Sequence, residues 1–235
     1  MEGVMNRTVV ASLMAMSLLV AGCSEQKAWV YHPNDYQQAK TNAPQKVAVV
    51  LPFDDKREAT NHNRLMLYLI PLMPYGWADY PAPEGATMHV ASGLWVNYKP
   101  TEEFAKALAQ ELTDTGRYKE AHFSFGNENA DYVFKGQILN TDYHGTMISY
   151  GLSVYGPLFW LIGLPAGTVD NNLSISVACV DTHTNSTVFQ KTYSAPPYHA
   201  MAWIYDMPND FTYPDMLKDV YSQVTNDLVA NGKCM

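Results

Sequence analysis

The side chains best suited to chemistry in this sequence are three cysteines, seven histidines and a few acids near strand ends. A thiol nucleophile needs a base beside it, and Cys179 with His183 is a sequence-local pair of that kind. A strand and its turn would separate the two, however, and a buried cysteine is inert. Asp54, Asp55, Asp131 and Asp142 have the chemistry for paired-carboxylate glycan hydrolysis, although acids in loops after strands are more often simply solvated. Gly151-Leu152-Ser153-Val154-Tyr155-Gly156 misses the Gly-x-Ser-x-Gly spacing of a serine elbow. Neither a phosphate-binding loop nor a dinucleotide fingerprint is present. His32, His62, His89, His122, His144, His183 and His199 are scattered, with no pair at ligand spacing, so no metal site is expected. These residues predict a protein with no catalytic set, no metal and no cofactor.

Cys23 points to a different chemistry. Residues 1–22 read as a secretory signal: Arg7 is the basic residue, Val9 to Val20 is apolar or small, and Ala21-Gly22 leads directly into Cys23. Glu2 is out of place in a basic leader, and a start at Met5 would leave Asn6-Arg7 as a cleaner one. Leu19-Val20-Ala21-Gly22-Cys23 resembles the lipobox of bacterial lipoproteins, which implies cleavage before Cys23 and acylation of its thiol and new amino terminus. Each buried methylene contributes about 0.8 kcal/mol and one chain binds only marginally, so several chains are what hold such a protein on a membrane. Ser24 rather than aspartate after the cysteine points, by analogy with known sorting, to the periplasmic face of the outer membrane.

Loss of residues 1–22 removes Arg7 and Glu2, one charge of each sign, and leaves the net charge at −8. An acidic chain with few basic residues argues against nucleic acid as a partner. With Cys23 acylated, Cys179 and Cys234 remain in an oxidising compartment, where two cysteines can pair. The competing reading is that Cys179 is a small buried hydrophobe on a strand face with Leu173, Ile175 and Val177.

Residues 23–45, polar and interrupted by Pro33 and Pro44, read as a tether ahead of a domain over 46–235. Lys46 to Phe53 predicts a buried central strand, with Asp54 to Arg57 a charged loop. Met88 to Tyr98 reads as strand-like. A helix is predicted over 101–115, capped by Thr101, with Phe104, Leu108 and Leu112 as its apolar stripe and Gly116 as its stop. Tyr118–Phe125 reads as an edge strand, Asp131–Leu139 as another strand, and Leu173–Val180 with Thr187–Tyr193 as a hairpin. Pro214 opens a final helix whose apolar face is Leu217, Val220, Tyr221, Val224 and Leu228. Two stretches, Leu65–Trp77 and Gly145–Val169, contain no charge. Prolines and glycines break both, so neither predicts a spanning helix, and a hairpin or apolar loop is expected for the second.

This order of elements, with Val49-Val50-Leu51-Pro52-Phe53-Asp54-Asp55, the helix ending at Gly116, Ala130 to Ile138 and the hairpin turning at Thr182–Asn185, is similar to the CsgG, PelC and LpoB group of outer-membrane lipoproteins, related to the amino-terminal domain of TolB. The resemblance implies an α/β sandwich, a mixed sheet on two main helices, and a role in partner binding or assembly, in some members as oligomeric rings. On that plan the two uncharged stretches are insertions. Leu69, Trp77, Tyr155, Leu158, Phe159, Trp160 and Leu161 are the candidates for contact with a partner or membrane, although neither stretch alternates as a transmembrane hairpin must. The expected function is a lipid-anchored envelope protein that scaffolds or regulates an assembly. Its expected partners are the membrane through Cys23, an unidentified envelope protein, and further copies of itself. An export accessory ring and a periplasmic cell-wall enzyme are the alternatives.

Overall fold

The structure, a computed structural model, describes residues 29–36, 46–58, 60–83, 98–127, 129–205 and 213–234. The strand-like reading of Met88–Tyr98 falls mostly outside these residues, as does Cys23.

The architecture is mixed α/β, with two sheets. The first is organised around β1 (Val47–Val50), whose last three residues are buried. Its apolar residues on both faces suit a strand flanked on both sides. It lies parallel to both β5 (Glu120–Phe123) and β6 (Tyr132–Asn140). β9 (Ser174–Asp181) pairs antiparallel with β6, and β10 (Ser186–Ser194) with β9. β5 is an edge, as its sequence suggests, and the 173–193 hairpin forms as expected. Asp54–Asp55, expected as loop, forms a two-residue strand, β2, that continues along β6.

Helices α1 (Pro100–Asp114) and α3 (Tyr213–Asn231) cover one face of this sheet. Phe104, Leu108 and Leu112 are fully buried, and so are Leu217, Val220, Tyr221 and Val224. Gly116 takes a φ of 65° at the end of α1, where a side chain would be strained. Thr101 is not the cap: Lys99 occupies that position with Pro100 first in the helix, because proline's fixed φ suits the first turn and its missing N–H costs nothing there. Cys179, in the middle of β9, and Cys234, just past α3, are joined as a disulfide across 55 positions.

The uncharged stretches supply parts of three strands to a second sheet: the hairpin expected over 145–169 forms, whereas the five-stranded sheet it joins was not expected. Its order is β11 (Tyr198–Ala202), β8 (Gly167–Asn171), β7 (Tyr143–Ile148), β4 (Tyr75–Tyr80) and β3 (His62–Arg64), all antiparallel. β6 runs into β7 across Thr141-Asp142, and β8 runs into β9 across Asn172-Leu173. One long hairpin therefore passes through both sheets, and Asn172 N donates to Asp142 O at 2.9 Å across the joint. Buried Thr141 fixes that joint. Its carbonyl accepts from Tyr213 Oη at 2.6 Å, and its hydroxyl donates to Pro81 O at 2.9 Å and accepts from Arg57 Nη1 at 2.7 Å. Tyr80 and Tyr143 stack beside it, 5.7 Å apart.

Residues 29–36, read from sequence as part of the tether, lie against the α1–α3 layer. Trp29 packs on Tyr98 and Phe104, and Tyr31 is buried against Tyr221. An apolar aromatic pair in a polar stretch gains more by covering the helices than by staying in water.

Candidate functional site

The far end of the long hairpin is the feature of the molecule that calls for a function. Between β7 and β8 the chain makes a 3₁₀ turn at Ser153–Tyr155 and a short helix, α2 (Pro157–Leu161). A second 3₁₀ turn, Leu65–Leu69, and residues 70–74 lie beside it. Leu72 is 88% exposed and Ile162 76%, and Met66, Ile70, Val154, Tyr155, Leu158 and Leu161 are exposed with them. No charged residue occurs in either stretch. Isolated apolar residues on a surface are ordinary, but a contiguous group of this kind makes the tip the candidate contact site.

The tip is built as a structure. Trp160 is turned inward, 9% exposed, and donates its indole N–H to Ile148 O at 2.8 Å. Ser149 Oγ donates to Met73 O at 2.7 Å, Tyr150 Oη to Pro165 O at 2.6 Å, and Ser153 Oγ to Leu69 O. Main-chain bonds tie the two stretches together: Leu72 N to Gly151 O at 3.0 Å, and Ser149 N and Tyr150 N to Pro74 O at 2.8 and 3.1 Å. The few polar side chains of the tip are thus used to satisfy its own carbonyls, and its aliphatic side chains face outward.

Among the residues singled out from sequence, Tyr155, Leu158 and Leu161 are exposed on the tip. Leu69 is half-buried, with its carbonyl taken by Ser153, and Phe159 is half-buried against Tyr150, with ring centroids 5.7 Å apart. Trp160 is a support of the tip rather than part of its surface. Trp77 sits away from the tip on the open face of the second sheet, with the Arg64 guanidinium 5.8 Å over its ring. Leu72 and Ile162, the most exposed of the aliphatic residues, were not singled out, because exposure inside an apolar run cannot be read from the run itself.

The same open face carries a second arrangement that no sequence spacing announces. Strand register places His62, Asp79, His144, Asp170 and His199 side by side in one row across all five strands. His144 Nδ1 lies 2.5 Å from Asp79 Oδ1, and His199 Nδ1 is paired with Asp170 Oδ1. Among the described residues, no group of three or more histidines, cysteines, aspartates or glutamates is arranged to hold a metal ion.

Asp55, Asp131 and Asp142, among the acids considered for hydrolysis, each hold a hydrogen-bonding partner, and Asp54 lies far from Asp131. Asp55 holds the Arg57 guanidinium at 2.7 Å. Asp131 accepts from Val47 N at 2.8 Å and from Lys46 Nζ at 3.1 Å, with His183 Nε2 at 3.1 Å. Those contacts, led by the Val47 amide, hold its carboxyl down at about 2. Asp142 accepts from Asn140 Nδ2 at 2.8 Å. Asp54 pairs with Gln137, six positions along β6 from Asp131, a separation of roughly 20 Å. Cys179, bound to Cys234, is not set beside His183 as a thiol nucleophile.

No family model matches the sequence, and no curated protein matches it. Solved structures do resemble it in shape. A Xanthomonas campestris protein of the DUF330 family is 9% identical, with a TM-score of 0.46 over 88% of this chain and 97% of that one. A PelC dodecamer subunit from Paraburkholderia phytofirmans is 12% identical, with a TM-score of 0.39 over 82% of this chain and 94% of its own. A lipoprotein from Neisseria meningitidis is 10% identical, with a TM-score of 0.34 over 79% of this chain and 99% of its own.

Proposed function

We propose that the chain is a bacterial envelope lipoprotein, acylated on Cys23 and held at the periplasmic face of the outer membrane. Its domain serves as a contact module in an envelope assembly and has no catalysis of its own. The observation that carries this reading is the tip: an exposed, uncharged, internally hydrogen-bonded end on a hairpin that passes through both sheets. A solvated loop has no need of Trp160 and three hydroxyl groups to hold its shape, and an exposed apolar surface of this kind is costly in water unless something covers it. The lipobox-like sequence supplies the location, and the disulfide between Cys179 and Cys234 suits an oxidising compartment.

The test is photo-crosslinking in cells from a benzoylphenylalanine placed at Leu158, compared with one at Gln190, which is exposed on β10. Adducts from Leu158 with envelope lipid or protein, and none from Gln190, are expected. A tip that yields no adduct with any envelope component would overturn the reading.

A further inference from the structure

We infer that the tip is seated in lipid, so that the protein meets its membrane twice, through the acyl chains on Cys23 and through the end of the hairpin. This rests on the reading that Cys23 is acylated.

Three observations on the molecule favour a lipid surface as the occupant. The first is the order of side chains along the open face of β4: from the tip inward it presents Tyr75, Trp77 and then Asp79. Exposed aliphatics come first, then two aromatics with Arg64 over the second, then the row of histidines and aspartates. That gradient matches the sequence of environments from acyl chain through headgroup to water, where tyrosine and tryptophan collect at the boundary. The second is the state of the backbone. Lipid offers no hydrogen bonds, so polar groups entering it must be satisfied internally. The tip does this with Trp160, Ser149, Tyr150 and Ser153.

The third is the position of the anchor. Six peptide steps separate Cys23 from Trp29, at most about 20 Å of extended chain. Trp29 packs on Phe104 in the first turns of α1. That end of α1 lies where β1 ends, with Phe53 N donating to Thr101 O at 2.9 Å and Lys56 N to Ile138 O at 2.9 Å. Since β6 is parallel to β1 and runs on into β7, the second sheet leaves the domain from this same end. The anchor and the hairpin therefore share one end of the α/β layer, which the short link keeps near the bilayer.

The experiment uses the full lipidated chain in phosphatidylethanolamine–phosphatidylglycerol vesicles, with an environment-sensitive fluorophore on Ile162→Cys and, as a control, on Thr187→Cys of β10. The expected result is blue-shifted emission at 162 that is quenched by shallow spin-labelled lipid, and water-like emission at 187. Adding Leu158→Glu and Leu161→Glu, both exposed and so compatible with folding, should reduce the quenching at 162 at least about tenfold. A water-like label at 162 overturns the inference, as does a shielded label that lipid quenchers never reach and that instead crosslinks to a second copy or another protein. Flotation of the same samples separates this failure from failure of the anchor: wild-type protein that does not float with vesicles would overturn the acylation reading itself.

Discussion

Tyr31 donates its hydroxyl to Glu111 Oε2 at 2.8 Å, joining residues 80 positions apart. Glu111 is fully buried in α1. Its other partners also come from the segment after Trp29: Asn34 Nδ2 donates at 2.5 Å, Asn34 N at 3.2 Å, and Tyr36 Oη donates as well. This carboxyl group therefore fastens residues 29–36 to the domain as a strap, together with Asn34 Nδ2 on Lys218 O and the packing of Trp29 and Tyr31 on the helices.

Glu111→Ala leaves four donors without their acceptor, and a buried group left unpaired costs more than the bond contributes. Urea unfolding should show a loss of about 2–4 kcal/mol, and limited proteolysis should cut within 29–36. Tyr31→Phe should cost less and leave the strap protected. A Glu111→Ala protein as stable as wild type, with 29–36 still resistant, would contradict this role.

The disulfide closes a loop of 55 positions, and Tyr118 Oη donates to Cys234 O at 2.6 Å, so the end of the chain is held at two points. Paired Cys179→Ala and Cys234→Ala substitutions should lower stability by about 2–4 kcal/mol. Unfolded, non-reduced protein should give no reaction with thiol reagent at either position. Two titratable thiols there would contradict the pairing.

Acid should weaken the fold through Asp131. Its carboxyl is held at about 2, below its ordinary 3.8, by the Val47 amide, His183 and Lys46. A lowered value in the folded state stabilises above the unfolded value, and that contribution is lost as pH falls from about 4 toward 2. Wild-type stability should therefore decline across that window. Asp131→Asn, already weaker at neutral pH, should decline less. Parallel decline of the two proteins would show that other carboxyls dominate.

Gly76 tests the second sheet separately from the first. A Cβ there would fall 1.9 Å from Leu65 O, against the turn that covers the inner face of β4. Gly76→Ala should cost roughly 2–4 kcal/mol, as overpacking against backbone does. Hydrogen exchange should rise in β4 and β7 while β1 and β6 stay protected. Uniform exchange across both sheets would mean that they unfold as one unit.

The first sheet and its helices were legible because their signals are local. Phe104, Leu108 and Leu112 recur at helical spacing, Gly116 stops the turn, and β-branched residues at Val47, Val49 and Val50 mark a strand with both faces covered. Of the second sheet only the hairpin over 145–169 was legible. The sheet's strands are short, glycines at 76, 145 and 167 blur their alternation, and they pair across long separations. The His62–Asp79–His144–Asp170–His199 row exists only once register is known. Glu111 did leave a trace: it falls seven positions after Phe104, on the apolar stripe of α1, where a carboxyl needs buried partners. Nothing in the chain near it announced that those partners lay at Tyr31, Asn34 and Tyr36. The tip was half legible, since absence of charge marked the stretch but not which side chains face out.

Labelling in intact cells reads whether the uncharged tip is covered where the protein works. A small water-soluble maleimide is applied to cells carrying Ile162→Cys or Thr187→Cys in the full-length protein. Position 187 should label rapidly, and 162 should stay protected until detergent is added. Equal labelling of the two positions before detergent would show the tip standing in water, with neither lipid nor protein covering it.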